Sequence, residues 1–186
     1  MRKSTVVALI GAALFSGMPA NSAEEGKEAV AKTILVTQSW DDGDQNDARL
    51  IGILQKYKAR GTFFIYPVNY VTLETNQEAA LKVDPRLVAP FARFLETYGG
   101  KDGIEIGAHG FHHPDMRKLK PEELLFELTE SKRVLEAWFK TPVKGLAYPG
   151  GASDATVEKA VQAAGYVYAR RVENAPKVFP PENPMA

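Results

Sequence analysis

The sequence predicts an α/β fold in which parallel strands alternate with helices. Short runs of β-branched and apolar residues are each followed by a segment with apolar residues at helical spacing, and this alternation continues along the chain. The 186 residues are 45% hydrophobic and 25% charged, which is typical of a globular domain and not of a disordered chain. This length accommodates one domain with a sizeable core.

The amino-terminal residues are predicted to be a secretory signal peptide. Two basic residues precede an apolar run, Val6 to Phe15, and small residues between Ala20 and Ala23 offer a cleavage site. The run is much shorter than the roughly 20 apolar residues of a membrane-spanning helix. We therefore expect a signal peptide over 1–23, a mature domain over 24–186 without stable membrane insertion, and export to a periplasm or the extracellular space.

The first half of the mature chain contains two predicted strands and two predicted helices. The first strand, Thr33–Thr37, and the second, Thr62–Tyr66, are β-branched and apolar runs, as in buried strands. Apolar residues at helical spacing predict a helix between them, over 44–58, which Gly61 ends. A second helix is predicted over 85–98, where two glycines follow its last residue.

The second half continues the same alternation. The third strand, Ile104–Ala108, precedes the clearest helix, 121–140, whose first turn carries a proline and two glutamates, as the helix dipole favours. A fourth strand, Val143–Tyr148, a helix over 153–164 and a fifth strand, Tyr166–Ala169, follow. This order predicts βαβ units with parallel strands, a class of fold whose chemistry lies at the carboxyl ends of the strands.

Charge and composition exclude several classes of function. The chain has 23 basic and 23 acidic residues and a net charge of +0, which argues against nucleic-acid binding through phosphates. It has no cysteine, which excludes disulfides, thiolate metal ligands and a cysteine nucleophile.

Three unusual segments stand at the ends of three predicted strands. They are SWDDG at 39–43, HGFHHP at 109–114 and AYPGG at 147–151. All three histidines of the chain lie in the second segment, and His109 and His113 are four residues apart, so a helical turn or a tight loop can direct both imidazoles at one point. Two imidazoles and one carboxylate make a three-ligand site for a divalent cation, with one position open for water.

The adjacent carboxylates can divide the work at such a site. If one of Asp41 and Asp42 is a metal ligand, the other can act as a base toward water. Each segment alone is more often structural, because Asp-Asp-Gly before a helix is commonly a turn and a histidine pair is commonly solvent-exposed. His112 has no assigned role and is read as a surface residue or a neighbour of the ligands. The coincidence of three segments at three strand ends favours the metal site.

These motifs resemble those of the polysaccharide deacetylases of the NodB-homology fold, carbohydrate esterase family 4. The family's Thr-Phe-Asp-Asp-Gly motif corresponds to 39–43, its two-histidine motif to 109–114, and its Arg-x-Pro-aromatic-Gly motif to 147–151. The segment GTFF at 61–64 also matches the family's second strand, and the motifs follow the family's order and spacing over roughly Thr33 to Arg171.

The resemblance implies a distorted (β/α) barrel of about seven strands and the removal of N-acetyl groups from an N-acetylated glycan. It implies one divalent metal ion, usually zinc, held by Asp42, His109 and His113. Asp41 would be the general base, and the backbone N–H of Gly150 would stabilise the oxyanion together with the metal.

Three features depart from the family pattern. Ala147 stands where many members have an arginine that orients the base, and Gly110 replaces a serine or threonine. No histidine follows His113, although the family's last strand carries a histidine as general acid. With five predicted strands, the domain over 24–186 is expected to lack the C-terminal strands of the barrel, to leave an unpaired sheet edge and to deacetylate poorly.

Two other functions stay open from the sequence. A catalytically weak or inactive relative that binds glycan is consistent with the missing acid motif, and a hydrolase of small amides would fit the same fold. The predicted signal peptide favours a cell-envelope polymer over a cytosolic metabolite. The sequence distinguishes neither peptidoglycan from chitin-like polymers nor one oligomeric state from another.

Overall fold

The computed structural model describes residues 5–11, 33–43, 46–70, 102–172 and 183–185. Within these ranges, six strands form one sheet in the order β1-β2-β3-β4-β5-β6. The strands are β1 (Thr5–Gly11), β2 (Thr33–Asp42), β3 (Gly61–Ile65), β4 (Ile104–Ala108), β5 (Gly145–Ala147) and β6 (Tyr168–Arg170). The described α-helices are α1 (Asp47–Lys56), α2 (Pro121–Phe139) and α3 (Ala155–Ala163).

The strands from β2 to β6 are parallel, and each pairs with the strand that follows it in the chain. Helix α1 connects β2 to β3, α2 connects β4 to β5, and α3 connects β5 to β6. The predicted alternation and the five parallel strands are thereby confirmed. The helix predicted over 85–98 lies outside the described residues.

Strand β1 pairs with β2 in antiparallel orientation, from Thr5 opposite Ser39 to Gly11 opposite Thr33. We expected the segment over 1–23 to stay outside the fold, but its apolar, β-branched run forms an edge strand here, because such a run suits the open edge of β2. Cleavage after Ala23 would remove β1 and expose that edge. The signal peptide itself stays a prediction.

Strand β2 continues beyond its predicted end at Thr37. Its last four residues pair with β3, from Ser39 opposite Thr62 to Asp42 opposite Ile65. Asp41 and Asp42 are therefore the last two residues of the strand, and this pairing fixes both of them at the carboxyl edge of the sheet.

The core lies between the helices and one face of the sheet. Buried side chains from β3, β4 and β5 contact buried side chains from α1, α2 and α3. Its members include Ile51, Leu54, Ile65, Ile106, Leu128, Leu135, Leu146 and Val161. Among the described residues, no helix is both long and apolar enough to cross a membrane.

The sheet curls into part of a barrel. Arg170 on β6 forms an ion pair with Asp41 on β2, although three strands lie between them. In a flat sheet β2 and β6 would be about 19 Å apart, farther than one arginine side chain reaches. The ion pair therefore shows that these strands approach each other across the concave face, as the predicted distorted (β/α) barrel requires.

Two glycines make room for aromatic rings on this concave face. A Cβ atom at Gly107 would overlap the ring of Phe64, and one at Gly145 would overlap the ring of Tyr168. Each glycine lies opposite its aromatic residue in the strand register. The absent side chains allow both rings to fill the inside of the curled sheet.

Residues 183–185 contact β5 and β6. The N–H of Ala169 donates to the carbonyl of Pro184 at 2.8 Å, and the hydroxyl of Tyr148 donates to the carbonyl of Met185 at 2.7 Å. The side chain of Met185 is buried. The sequence predicted an unpaired edge at β6, and the described residues show that this edge is paired in part, because a short segment without regular hydrophobic spacing covers it at Ala169.

Candidate metal centre

The three predicted metal ligands converge at the carboxyl end of the sheet. Asp42 ends β2, His109 follows β4 directly, and His113 lies in the loop after it. Nε2 of His109 is 3.5 Å from Oδ1 of Asp42, Nε2 of His113 is 3.3 Å from the same oxygen, and the two nitrogens are 3.1 Å apart. The ligand atoms thus form a nearly equilateral triangle.

This triangle fits a tetrahedral divalent cation. Ligand atoms bonded to zinc at 2.0–2.1 Å in tetrahedral geometry are about 3.3–3.4 Å apart, which the three distances bracket. Two imidazole nitrogens and a carboxylate are a donor set that suits zinc, and three protein ligands leave a fourth position for water or substrate.

The surroundings of His109 suit a metal ligand. Its side chain is buried, and its Nδ1–H donates to the carbonyl of Ala147 at 2.7 Å, which directs the Nε2 lone pair toward the other ligands. Burial lowers the pKa of the His109 imidazole below its usual value, against the opposing effect of the Ala147 carbonyl. The neutral imidazole, which is the form that binds metal, is therefore favoured.

Two of the three predicted ligands have strained backbones. Asp42 has φ of 72° and His113 has φ of 64°, in the left-handed region that non-glycine residues rarely adopt. Such strain concentrates at functional sites, where surrounding contacts maintain it. One contact is visible, since the side-chain amide of Asn69 donates to the carbonyls of Asp42 and Gly43 at 2.8 and 3.1 Å.

A buried carboxylate holds the histidine loop. Glu127 on α2 accepts hydrogen bonds from the backbone N–H groups of Phe111 and His112, at 2.6 and 2.9 Å, and from Nδ1 of His112 at 2.7 Å. The ring of His112 therefore binds Glu127 on α2 and does not join the three predicted ligands. Of the two readings left open by the sequence, this contact favours a neighbour of the ligands over a free surface residue. The sequence contains a sign of this role, because Glu127 is a charged residue on the same apolar helix face as Leu124 and Leu128.

Asp41 lies beside the ligand set and not within it. Successive residues of a strand point to opposite faces, so Asp41 and Asp42 separate. The carboxylate of Asp41 reaches the concave face, where the guanidinium of Arg170 binds Oδ1. Sequence reasoning missed Arg170, because only the curl of the sheet brings it to Asp41.

Gly150 and Tyr66 lie in the loops at this end of the sheet. Gly150 has φ of 66° in a 3-10 turn, Pro149–Gly151, that leaves β5 just after Ala147. Tyr66 follows β3, and its ring centroid is 5.1 Å from that of His113. Burial, and next the charge of Asp42, raise the pKa of Tyr66 above its usual value. Tyr66 and Asn69 were not predicted as site residues, because neither belongs to the three motifs.

Known proteins are similar to this chain in sequence. The chain matches the family model described as polysaccharide deacetylase over residues 28–169. It is 26% identical over 134 residues to the peptidoglycan-N-acetylglucosamine deacetylase of Bacillus cereus, which covers 71% of this chain and 54% of that protein. It is 29% identical over 117 residues to the uncharacterized protein YlxY of Bacillus subtilis, which covers 63% of this chain and 30% of that one. The chain thus spans about a third to a half of the length of these relatives.

Solved structures share the fold. A polysaccharide deacetylase from Bacillus cereus superposes with a TM-score of 0.57 at 22% identity, over 78% of this chain and 43% of that one. The Streptococcus pyogenes deacetylase PplD, in complex with acetate, superposes with a TM-score of 0.56 at 18% identity, over 70% of this chain and 52% of that one. A CE4 family pseudoenzyme from Bacillus anthracis superposes with a TM-score of 0.54 at 22% identity, over 71% of this chain and 41% of that one. Because the family model covers most of the sequence, the chain belongs to the polysaccharide deacetylase family.

Proposed function

We propose that this chain is a metal-dependent hydrolase that removes N-acetyl groups from an N-acetylated polysaccharide. Membership of the polysaccharide deacetylase family supports the reaction class. The relative from Bacillus cereus, a peptidoglycan-N-acetylglucosamine deacetylase, supports an acetylated glycan as substrate. The single observation that carries metal dependence is the triangle formed by Asp42, His109 and His113.

In this proposal Asp42, His109 and His113 hold one divalent ion, zinc. When bound, the ion supplies Lewis-acid chemistry toward the acetyl carbonyl and toward water. The carbonyl of Ala147 fixes the tautomer of His109, and Glu127 fixes the loop that carries His113. These contacts hold the nitrogen atoms in place before any ligand arrives.

Asp41 is the proposed general base. The ion pair with Arg170 uses Oδ1, and the carboxylate lies next to the ligand set, so its second oxygen can take a proton from the attacking water. The proposed oxyanion donor is the backbone N–H of Gly150, whose turn begins beside the Ala147 carbonyl that holds His109. The products are a free amine on the sugar and acetate.

We also propose that the protein acts outside the cytoplasm. Residues 1–23 have the charge, apolar run and small residues of a signal peptide. A cell-envelope polymer would then be the available substrate, in a periplasm or in the extracellular space.

Acetate release tests the enzymatic proposal. The zinc-loaded full chain should release acetate from chito-oligosaccharides or from peptidoglycan fragments. Asp41→Asn should keep its zinc and lose about 10²–10⁴-fold in rate, as expected for loss of a general base. Glu130→Gln, which alters a partly exposed carboxylate on α2 that pairs with Arg133, should match the wild type.

Two results would change this account. If Asp41→Asn loses zinc, the roles of Asp41 and Asp42 are reversed. If the zinc-loaded wild type releases no acetate but binds the glycan, the chain is an inactive glycan-binding relative.

A further inference from the structure

We propose that Arg170 is the residue that positions Asp41, and that it does so in place of an arginine at position 147. This inference rests on the proposed function, because it concerns how the proposed base is oriented. Position 147 is an alanine in this sequence, whereas the motif that it begins commonly starts with arginine. The guanidinium that reaches Asp41 comes instead from the neighbouring strand.

The strand register explains how one position can replace the other. Ala147 on β5 lies opposite Arg170 on β6, and the N–H of Tyr148 donates to the carbonyl of Arg170 at 3.1 Å. Paired residues of adjacent strands direct their side chains to the same face of a sheet. Side chains at 147 and 170 therefore leave neighbouring strands toward the same concave face, where Asp41 lies.

The path of the Arg170 side chain is defined by Phe64. The guanidinium carbon lies 5.2 Å from the centroid of the Phe64 ring, which is a favourable cation–π distance. Phe64 can occupy this position because Gly107 has no side chain. The side chain of Arg170 thus crosses the inside of the curled sheet along an aromatic surface and ends at Oδ1 of Asp41.

The ion pair is partly shielded from water, with the side chains of Arg170 and Asp41 16% and 25% exposed. Attraction between opposite charges is stronger in such surroundings than at an exposed surface. The pair holds the Asp41 carboxylate toward the concave face and leaves Asp42 as the carboxylate of the ligand set. A planar guanidinium fixes the orientation of a carboxylate better than an ammonium group does.

A double-mutant cycle tests the ion pair without requiring turnover. The metal-free full chain, Arg170→Ala, Asp41→Ala and the double variant are unfolded in urea. The effect of the double variant on the unfolding equilibrium constant should differ from the product of the two single effects by at least about threefold. Additive effects would overturn the inference. This result is independent of acetate release, so failure of the inference and failure of the proposed function can be told apart.

Turnover tests the positioning role. Arg170→Ala should lower kcat about 10–100-fold, whereas zinc content and KM stay within about twofold of wild type. Arg170→Lys should recover part of the loss, and the double variant Ala147→Arg/Arg170→Ala should recover more, because it returns a guanidinium from the adjacent strand.

Arg171 provides a matched control. This neighbouring arginine forms an ion pair with Glu158 on α3 and has no part in orienting Asp41 in our proposal. Arg171→Ala should lower the thermal midpoint and keep kcat. Two results would overturn the positioning role. One is a rise in KM at unchanged kcat in Arg170→Ala, and the other is a folded Ala147→Arg/Arg170→Ala variant that is no more active than Arg170→Ala.

Discussion

Three histidines lie within five residues of this chain, and they perform two different tasks. His109 and His113 direct their Nε2 atoms toward Asp42, whereas the ring of His112 binds Glu127 on α2. Spacing along the sequence predicted the pair of ligands, because residues four apart can meet within one turn of chain. It did not predict the task of His112, which depends on a glutamate from an element that comes later in the chain.

The strained turn at the end of β2 yields a prediction for Asn69. Because its amide binds the carbonyls of both Asp42 and Gly43, Asn69→Ala should let the turn relax and weaken zinc binding about tenfold. Competition with a chromogenic chelator measures this affinity. Asn183→Ala removes an amide that donates to Glu158 and not to a residue of the cluster, and should leave the affinity unchanged. Equal affinities for the two variants would show that Asn69 does not support Asp42.

At the scale of elements, the alternation of strands and helices was predictable, and their ends were less so. Strand β4 has the predicted bounds, because its short run with buried Ile104, Ile106 and Ala108 lies between two polar, glycine-containing pairs, DG before it and HG after it. Strand β2 extends past its apolar part because β3 pairs with its polar residues as far as Asp42. A hydrophobic pattern does not show the hydrogen bonds that a neighbouring strand supplies, so Asp41 and Asp42 were expected just after the strand instead of within it.

Helix α2 is predicted to stabilise the histidine loop through Glu127. Glu127→Ala removes three hydrogen bonds and leaves two backbone N–H groups without their acceptor, so we expect the free energy of unfolding to fall by about 2–4 kcal/mol. Urea unfolding of the full chain measures it.

His112→Ala is the matched control for this change. It removes only the side-chain bond to Glu127, from a half-exposed ring, and should cost about 1 kcal/mol. If the two variants lose equal stability, the backbone hydrogen bonds to Glu127 contribute nothing measurable and the anchoring role assigned to α2 is wrong.

At the scale of the whole molecule, the curl of the sheet assembles the site. It brings Arg170 from the last described strand to Asp41 in the first parallel strand, and it depends on glycines where aromatic rings need space. The sequence predicted parallel strands in this order, but the ion pair across the concave face depends on curvature, which no local pattern encodes. Strand β1 was not predicted because its apolar run was assigned to a signal peptide, and the contacts of residues 183–185 were not predicted because that segment has no regular hydrophobic spacing.

Gly107 offers a direct test of this packing. Gly107→Ala places a Cβ atom against the Phe64 ring and should lower the free energy of unfolding by about 1–3 kcal/mol. Gly52→Ala on α1 is the control, because its Cβ atom enters open space. The higher helix propensity of alanine should raise the free energy of unfolding by about 1 kcal/mol at most. Thermal or urea unfolding measures both variants. A neutral Gly107→Ala would mean that Phe64 does not pack tightly inside the curled sheet.

We expect one divalent metal ion to bind at Asp42, His109 and His113. Elemental analysis of the zinc-equilibrated, gel-filtered full chain tests it most directly. We predict one equivalent of zinc in the wild type and in His112→Ala, and far less than one equivalent in His109→Ala and in His113→Ala. Retention of a full equivalent by both His109→Ala and His113→Ala would contradict the assignment.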